Sequence, residues 1–434
     1  GMFHWMPRMI SVMGGLPTSV GWVGLVVFAA YEAAGPTLAL GLFRALKARR
    51  GLLVATLATA GFILFWEGLA FHIYPINWAY SLGAVPVLAR ATAFTGSWGA
   101  AVLMWVAALW TGARLAEGDR SWRSWGPLAA LPALLGLLGL GWHLLPRESL
   151  RTLDVVVVQP NLPPGRVLQD MEALGWTLTD EALRQAALPR ADAPTLVVWA
   201  ESAILGWDHR GPAPALGEAA RSRGVTWLFG TEGGHMNLVR GETAGRPPLV
   251  LGKVHPMPFG ERMPGPEPLR QWLDRQAGRR SQVPGSLSSQ SSLDVPGPGA
   301  PIRVHPIICS EGLMPGRVLE GLAVAGGDLL TNHTNDGWFE TSLATDQHAA
   351  QIRLRATEAG LPLIRATLTG KSGLFREDGT WELWGEPMTQ ATRTFRLSWQ
   401  PVRTPWKQTP YRYTLLGAFL AALAWALTRR PTPA

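Results

Sequence analysis

The chain has 434 residues, of which 47% are hydrophobic and 16% charged. That is too apolar for an ordinary soluble protein and too mixed for a pure helical bundle. The formal net charge is +8, but the basic residues are dispersed or flank apolar stretches and no nucleic-acid motif accompanies them; this argues against nucleic acid and for anionic lipid headgroups as partners.

Five apolar stretches have about the 20 residues that cross a bilayer core: 20–46, 52–71, 87–110, 128–145 and 413–427. The third is interrupted by Arg90, and Arg90 with Thr92 suggests an interfacial start. Basic residues set the orientation. Lys47, Arg49 and Arg50 follow the first stretch, Arg114, Arg120 and Arg123 follow the third, and Arg429 and Arg430 follow the last. With five spans all three clusters fall on one side, cytoplasmic by the positive-inside rule. The N-terminus and residues 147–412 are then expected on the extracytoplasmic face. The expected domains are a membrane domain at 1–146 with about four spans, a catalytic domain at 147–412, and a last span at 413–428.

Between the spans, strand and helix patterns alternate. Strands are expected at 155–158, 195–201, 226–230 and 248–254, the last after a polar hairpin-like stretch, and a helix at 171–187. Residues 280–300, rich in Ser, Pro and Gly, are expected to form a mobile loop. A strand ending at Cys309 follows, then a helix at 315–325, a strand at 328–331, a long helix at 343–360 and a strand at 362–367. Such alternation predicts a layered α/β domain of about 250 residues.

Three apolar runs each deliver a reactive group at a strand end: Leu196-Val197-Val198-Trp199-Ala200-Glu201, Leu249-Val250-Leu251-Gly252-Lys253, and Val304-His305-Pro306-Ile307-Ile308-Cys309. A lone cysteine in such a run is ordinarily a small buried hydrophobe, and Lys253 or Glu201 alone is ordinarily a solvated charge. Together they make a base, a cation and a nucleophile, the equipment for acyl transfer through a thioester. Cys309 is the single cysteine, so in an oxidising compartment it can form no intramolecular disulfide. Its free thiol there is well explained by catalysis. His255 and His305 lie near these residues in sequence, but histidines so placed are commonly structural. The chain has no HExxH word and no cysteine pair, Asp346 and His348 lack ligand spacing, and no glycine-rich dinucleotide unit occurs, so neither metal nor cofactor is implied.

The words around these residues resemble the nitrilase (carbon–nitrogen hydrolase) superfamily, and within it the membrane branch of apolipoprotein N-acyltransferases. They are Val157-Val158-Gln159-Pro160-Asn161, Val198-Trp199-Ala200-Glu201-Ser202, Gly252-Lys253-Val254-His255-Pro256-Met257-Pro258-Phe259-Gly260-Glu261, Ile308-Cys309-Ser310-Glu311, Thr334-Asn335-Asp336-Gly337-Trp338-Phe339 and Arg365-Ala366-Thr367. The Pro-Phe-Gly-Glu and Asn-Asp-Gly-Trp-Phe words are the most specific. The resemblance spans residues 153–399 and extends to residues 74–83 and to Thr409-Pro410-Tyr411.

The resemblance implies an αββα sandwich attached to a helical membrane bundle, without cofactor. Cys309 is the expected nucleophile, Glu201 the general base, and Lys253 the cation beside thiolate and oxyanion. The Ser310 backbone N–H is the expected second oxyanion donor. Glu261 is expected to orient Lys253 or Glu201, and Glu311 to anchor the cysteine turn. The implied partners are a phospholipid acyl donor and an amine acceptor, typically a diacylglyceryl-cysteine lipoprotein, at the bacterial inner membrane. A membrane-tethered amidase or nitrilase-type hydrolase, or a paralogue that N-acylates a different amine, is the alternative; a non-enzymatic lipid-binding relative is opposed by the intact Glu201, Lys253 and Cys309. Four departures stand out. The branch usually has eight spans and the first three lack a counterpart here; Ser310 replaces a tyrosine, Leu368 an asparagine, and Leu168 or a neighbour a tryptophan. All touch substrate-facing parts, so altered selectivity with retained chemistry is expected.

Overall fold

The computed structural model describes residues 3–14, 17–69, 72, 74–161, 169–204, 214–276, 278 and 280–428. Leu168, Arg429 and Arg430 lie outside these residues. A short helix α1 (Met6–Gly14) precedes a long helix α2 (Thr18–Arg50), which reverses at Gly51 into α3 (Leu52–Leu69). Gly51 adopts φ 83°, a backbone region open mainly to glycine. Next come α4 (Pro86–Arg90), α5 (Thr92–Ala116) and α6 (Trp122–Gly141).

Among the described residues, three helical stretches are long and apolar enough to cross a membrane, Thr18–Arg50, Thr92–Ala116 and Trp122–Leu144; Leu52–Glu67 and Leu415–Trp425 are shorter apolar helices. The basic clusters at 47–50 and 114–123 meet at one end of this bundle, where Lys47 pairs with Glu117 at 2.7 Å and Arg114 with Asp119 at 2.6 Å.

The stretch expected as one span from residue 87 is divided. It breaks between α4 and α5, and Gly96 interrupts α5 at φ 63°. A Cβ there would lie 2.0 Å from the Trp406 ring. Polar groups around the break bind the domain that follows. Thr92 Oγ1 lies 2.6 Å from Thr357 Oγ1, and Ser97 N donates to Glu358 Oε1 at 2.6 Å. Arg90 Nε donates to the Asp378 carbonyl at 2.7 Å.

The domain that follows holds two six-stranded sheets. In chain order it runs β1 (Arg151–Gln159), α7 (Gln169–Gln185), β2 (Thr195–Trp199), α8 (Pro214–Ser222), β3 (Thr226–Gly233), β4 (Met236–Glu242), β5 (Leu249–Gly252), α9 (Glu267–Gln276), β6 (Leu293–Val295), β7 (Ile302–Ile308), α10 (Pro315–Ala325), β8 (Leu329–Thr334), α11 (Ala344–Ile352), α12 (Leu354–Ala359), β9 (Leu363–Thr367), β10 (Ser372–Phe375), β11 (Trp381–Trp384) and β12 (Ala391–Trp399). The helix α13 (Thr409–Thr428) follows. One sheet has the order β12-β1-β2-β3-β4-β5, the other β11-β10-β9-β8-β7-β6. In each, three parallel strands (β1, β2, β3 and β7, β8, β9) are flanked by antiparallel ones.

The side-chain period of two splits each strand between two cores. Val155, Val157, Leu196 and Val198 face Ile308, Leu329, Ile364 and Ala366 of the other sheet. Val156, Val158, Trp199 and Trp227 pack outward on Trp176 and Leu216 of α7 and α8. Ile307, Leu330 and Leu363 pack outward on Leu319, Leu322, Ile352 and Ala356 of α10 to α12. The result is a four-layer αββα sandwich, the expected fold class.

Three stretches differ from expectation. Residues 280–300 contain a short edge strand: Leu293 and Val295, both buried, alternate with Asp294 and pair with β7. The stretch 343–360 is two helices, divided at Arg353, whose guanidinium reaches the Tyr80 carbonyl and lies over Trp381. The polar stretch before 248–254 contains the full strand β4.

Candidate active site

The three reactive residues meet where the two sheets present the ends of their strands. Glu201 lies two residues beyond β2, Lys253 directly follows β5, and Cys309 directly follows β7. Glu201 and Lys253 come from one sheet and Cys309 from the other. In α/β sheets the carboxyl ends of parallel strands are where ligands bind, because the turns there can be varied without disturbing the core.

Glu201 is 3% and Lys253 1% exposed, whereas Cys309 retains partial exposure. Lys253 Nζ donates to Glu261 at 2.8 Å and to Glu201 Oε1 at 3.4 Å. Asn237 Nδ2 bridges the same carboxylates, at 2.6 Å to Glu201 and 3.0 Å to Glu261. The other Glu201 oxygen accepts from the Asn335 backbone N–H at 2.7 Å. Glu261 is held by the Met257 N–H at 2.5 Å.

Cys309 adopts φ 48° without being glycine, a conformation that costs on the order of 1–3 kcal/mol and persists only where its surroundings enforce it. It opens a 3-10 turn over Cys309–Leu313. Glu311 ties this turn to the chain after Lys253: its Oε1 accepts from Val254 N at 2.8 Å, His255 N at 3.2 Å and Arg317 Nε at 3.2 Å. The Ser310 hydroxyl is buried without a partner.

The electrostatics follow from burial and these charges. Burial pushes the Cys309 thiol well above its usual range, Glu201 adds to the rise, and Lys253 opposes it. Burial likewise raises Glu201, against Lys253. Burial would lower Lys253, but Glu261 and Glu201 together hold its ammonium well above its ordinary range. Glu261 resists burial because Lys253 stabilises its anion, and its pKa is lowered. The resting site is therefore a neutral thiol facing a carboxylate of raised basicity, with a fixed cation beside both.

Neither nearby histidine joins this group. His305 is buried against Ser292 and lowered to about 3, first by burial and then by Arg317, and His255 is exposed. Among the described residues, no group of three His, Cys, Asp or Glu is arranged to hold a metal.

The geometry adds residues that sequence reasoning missed. Asn237 sits within a stretch read only as polar, and Asn335 acts through its backbone, which leaves no sequence signal. Tyr74, carried by the segment after α3, is buried with its phenol unpartnered. Its ring joins Trp5 and Phe339 at centroid distances of 5.7 and 6.4 Å, so the segment after α3 reaches the Asn-Asp-Gly-Trp-Phe turn. Of the divergent positions, Leu368 packs on Ala200 beside Glu201.

Residues 250–394 match the model of the carbon–nitrogen hydrolase family. The apolipoprotein N-acyltransferase of Allorhizobium ampelinum is 31% identical over 253 residues, covering 53% of this chain and 45% of that one. That of Bradyrhizobium diazoefficiens is 29% identical over 377 residues, covering 80% and 68%. The chain thus spans about half the length of the first of these relatives. Among solved structures, Saccharomyces cerevisiae Nit3, a member of branch 10 of the nitrilase superfamily, matches with a TM-score of 0.41 and 12% identity over 62% of this chain and 94% of that one.

Proposed function

We propose that this chain, which matches the carbon–nitrogen hydrolase family model over residues 250–394 and is similar to apolipoprotein N-acyltransferases, is a membrane-bound thioester acyltransferase. The reaction moves a fatty acyl chain from a phospholipid to an amine, the N-terminal α-amine of a diacylglyceryl-cysteine lipoprotein. The observation that carries this reading is the convergence of Glu201, Lys253 and Cys309 at one buried point reached from both sheets.

In the first half-reaction Glu201 takes the thiol proton as sulfur attacks the ester carbonyl. The tetrahedral oxyanion forms beside Lys253 Nζ and the Ser310 N–H. Removing one such donor ordinarily costs about a hundred- to a thousand-fold in rate. Collapse breaks the ester bond, and Glu201 returns the proton to the departing lysophospholipid oxygen. In the second, Glu201 takes a proton from the incoming amine as nitrogen attacks the thioester; collapse forms the amide and releases sulfur, which regains a proton. A thioester stores the activation, so the scheme needs no external energy source. Because burial raises the thiol pKa, the nucleophile is generated during attack rather than held ready, which limits side reactions of a free thiolate.

The membrane helices hold this centre at headgroup level, where lipid ester and lipoprotein amine are both presented. In this reading residues 1–146 form the membrane domain, 147–412 the catalytic domain on the extracytoplasmic side of the inner membrane, and 413–428 a last span. An apolar mouth would exclude water and favour aminolysis over hydrolysis.

The test is product analysis. Purified protein given phospholipid and a diacylglyceryl-cysteine peptide should release lysophospholipid and an N-acylated peptide in equal amounts. Free fatty acid with no acylated peptide would instead assign a hydrolase.

A further inference from the structure

A strained nucleophile needs something to hold it, and the structure supplies a buried polar chain for which the mechanism above has no role. Asn332, on β8, is 0% exposed. Its Nδ2 donates to the carbonyl of Cys309 at 3.2 Å, and to that of Ile307 at 3.5 Å. Its Oδ1 accepts from Thr334 Oγ1 at 2.8 Å and from Arg365 Nη1 at 2.8 Å. Two donors on one side fix which way the amide faces, so the NH2 group has to meet the cysteine carbonyl.

Arg365, on β9, is itself 0% exposed, a fully buried cation. Its Nη2 donates to Asp336 Oδ2 at 2.7 Å, and its Nε to the Lys371 carbonyl at 3.3 Å. Asp336 is held from its other oxygen by His348 Nδ1 at 2.9 Å. Asp336 directly follows Asn335, whose N–H holds the Glu201 carboxylate. The guanidinium fork therefore sits between two arms. One runs through Asn332 to the backbone of the nucleophile. The other runs through Asp336 to the peptide that fixes the base.

We propose that Arg365 and Asn332 are positioning residues that lock Cys309 in its left-handed conformation and in register with Glu201. A planar guanidinium suits this task because it donates along several fixed directions at once, which an ammonium cannot do. The proposal builds on the thioester reading but is tested independently of it. Misplacement of a reacting atom by about 1 Å can cost on the order of a hundredfold in rate.

The experiment uses the full chain and the variants Asn332→Ala and Arg365→Lys. Acylation of Cys309 is followed with p-nitrophenyl butyrate, which needs nucleophile, base and oxyanion site but not the lipid-facing surface; phospholipid is run in parallel. Alkylation by iodoacetamide at alkaline pH reports access to the thiol, unambiguously because the chain has one cysteine. The expected result is acylation by the ester slowed roughly ten- to a hundredfold at unchanged KM, with alkylation within about twofold of the unmodified chain, since a small alkylator makes no demand on the base. A merely structural role would give the opposite pattern, because partial unfolding exposes the thiol and speeds alkylation. Acylation within twofold of normal in both variants, or loss that tracks faster alkylation, overturns the proposal. Failure of phospholipid alone to acylate the unmodified chain would sink the lipid-transfer reading and leave this test intact.

Discussion

Replacing Lys253 by methionine, an apolar side chain of similar length, leaves Glu201 and Glu261 buried with no cation between them. The ammonium lies 2.8 Å from Glu261 and 3.4 Å from Glu201. At an effective dielectric of about 20 these contacts amount to about 6 and about 5 kcal/mol of attraction, before the cost of burying the charges. Breaking a buried pair typically leaves a net loss of about 3–5 kcal/mol. Protonation sets a ceiling, because one orphaned carboxylate can take up a proton instead. From an ordinary pKa of 4.5 and about 1.36 kcal/mol per pH unit, that costs about 5 kcal/mol at pH 8 and about 1.4 at pH 5.5. The sign follows. The orphaned carboxylate has a folded-state pKa raised above its unfolded value, so the variant is favoured in acid and loses stability as pH rises. Thermal melts in detergent at the two pH values, with the unmodified chain alongside, measure this. The melting deficit of Lys253→Met should be roughly 6–12 °C larger at pH 8 than at pH 5.5, from about 3 kcal/mol spread over a domain of this size. An equal deficit at both values would refute the view that Lys253 neutralises two buried carboxylates.

Three further outcomes follow. Gly230→Ala should distort the site from behind: its Cβ would lie 2.4 Å from Glu201 Cα and 2.7 Å from the Ala200 carbonyl, so acylation should fall at least about tenfold by displacing the base. Wild-type activity in this variant would show that Glu201 tolerates displacement. The acid limb of Cys309 acylation should lie above 4.5, because burial raises Glu201, with activity lost as pH falls and the base becomes protonated; a limb at or below 4.5 contradicts that role. Reporter fusions at Gly118 and Gln290 should give opposite membrane sides, and identical signals would remove the proposed topology.

The strand ends were readable in the sequence because short β-branched runs have few other uses, and Glu201, Lys253 and Cys309 each stand just past one. The residues that hold them were not. Asn237 and Asn332 are polar positions in strands, and period-two alternation does not distinguish a polar side chain facing solvent from one bonded within the site. Asn335 acts through a peptide N–H, invisible to side-chain reasoning. Leu293 and Val295 were hidden by the Ser, Pro and Gly around them, although their alternation with Asp294 is that of an edge strand. The break in α5 depended on docking: Gly96 carries no signal until Trp406 is brought against it from more than 300 residues away in the chain. Tyr74 was included in a resemblance to the membrane branch, but only the meeting of the membrane segment with Phe339 places it beside the site.

The thioester mechanism turns on an acyl group carried by one sulfur. Purified protein should be incubated with a phospholipid of defined acyl chains, digested at neutral pH and examined by mass spectrometry. The Cys309 peptide should gain the mass of the corresponding fatty acid less water, lose it on treatment with hydroxylamine, and lose it to an added amine with formation of the matching amide. Cys309→Ala should carry no adduct while melting close to the unmodified chain. Acyl transfer from phospholipid to amine by Cys309→Ala, or an unmodified chain that transfers acyl groups with no hydroxylamine-sensitive adduct, would contradict the thioester mechanism.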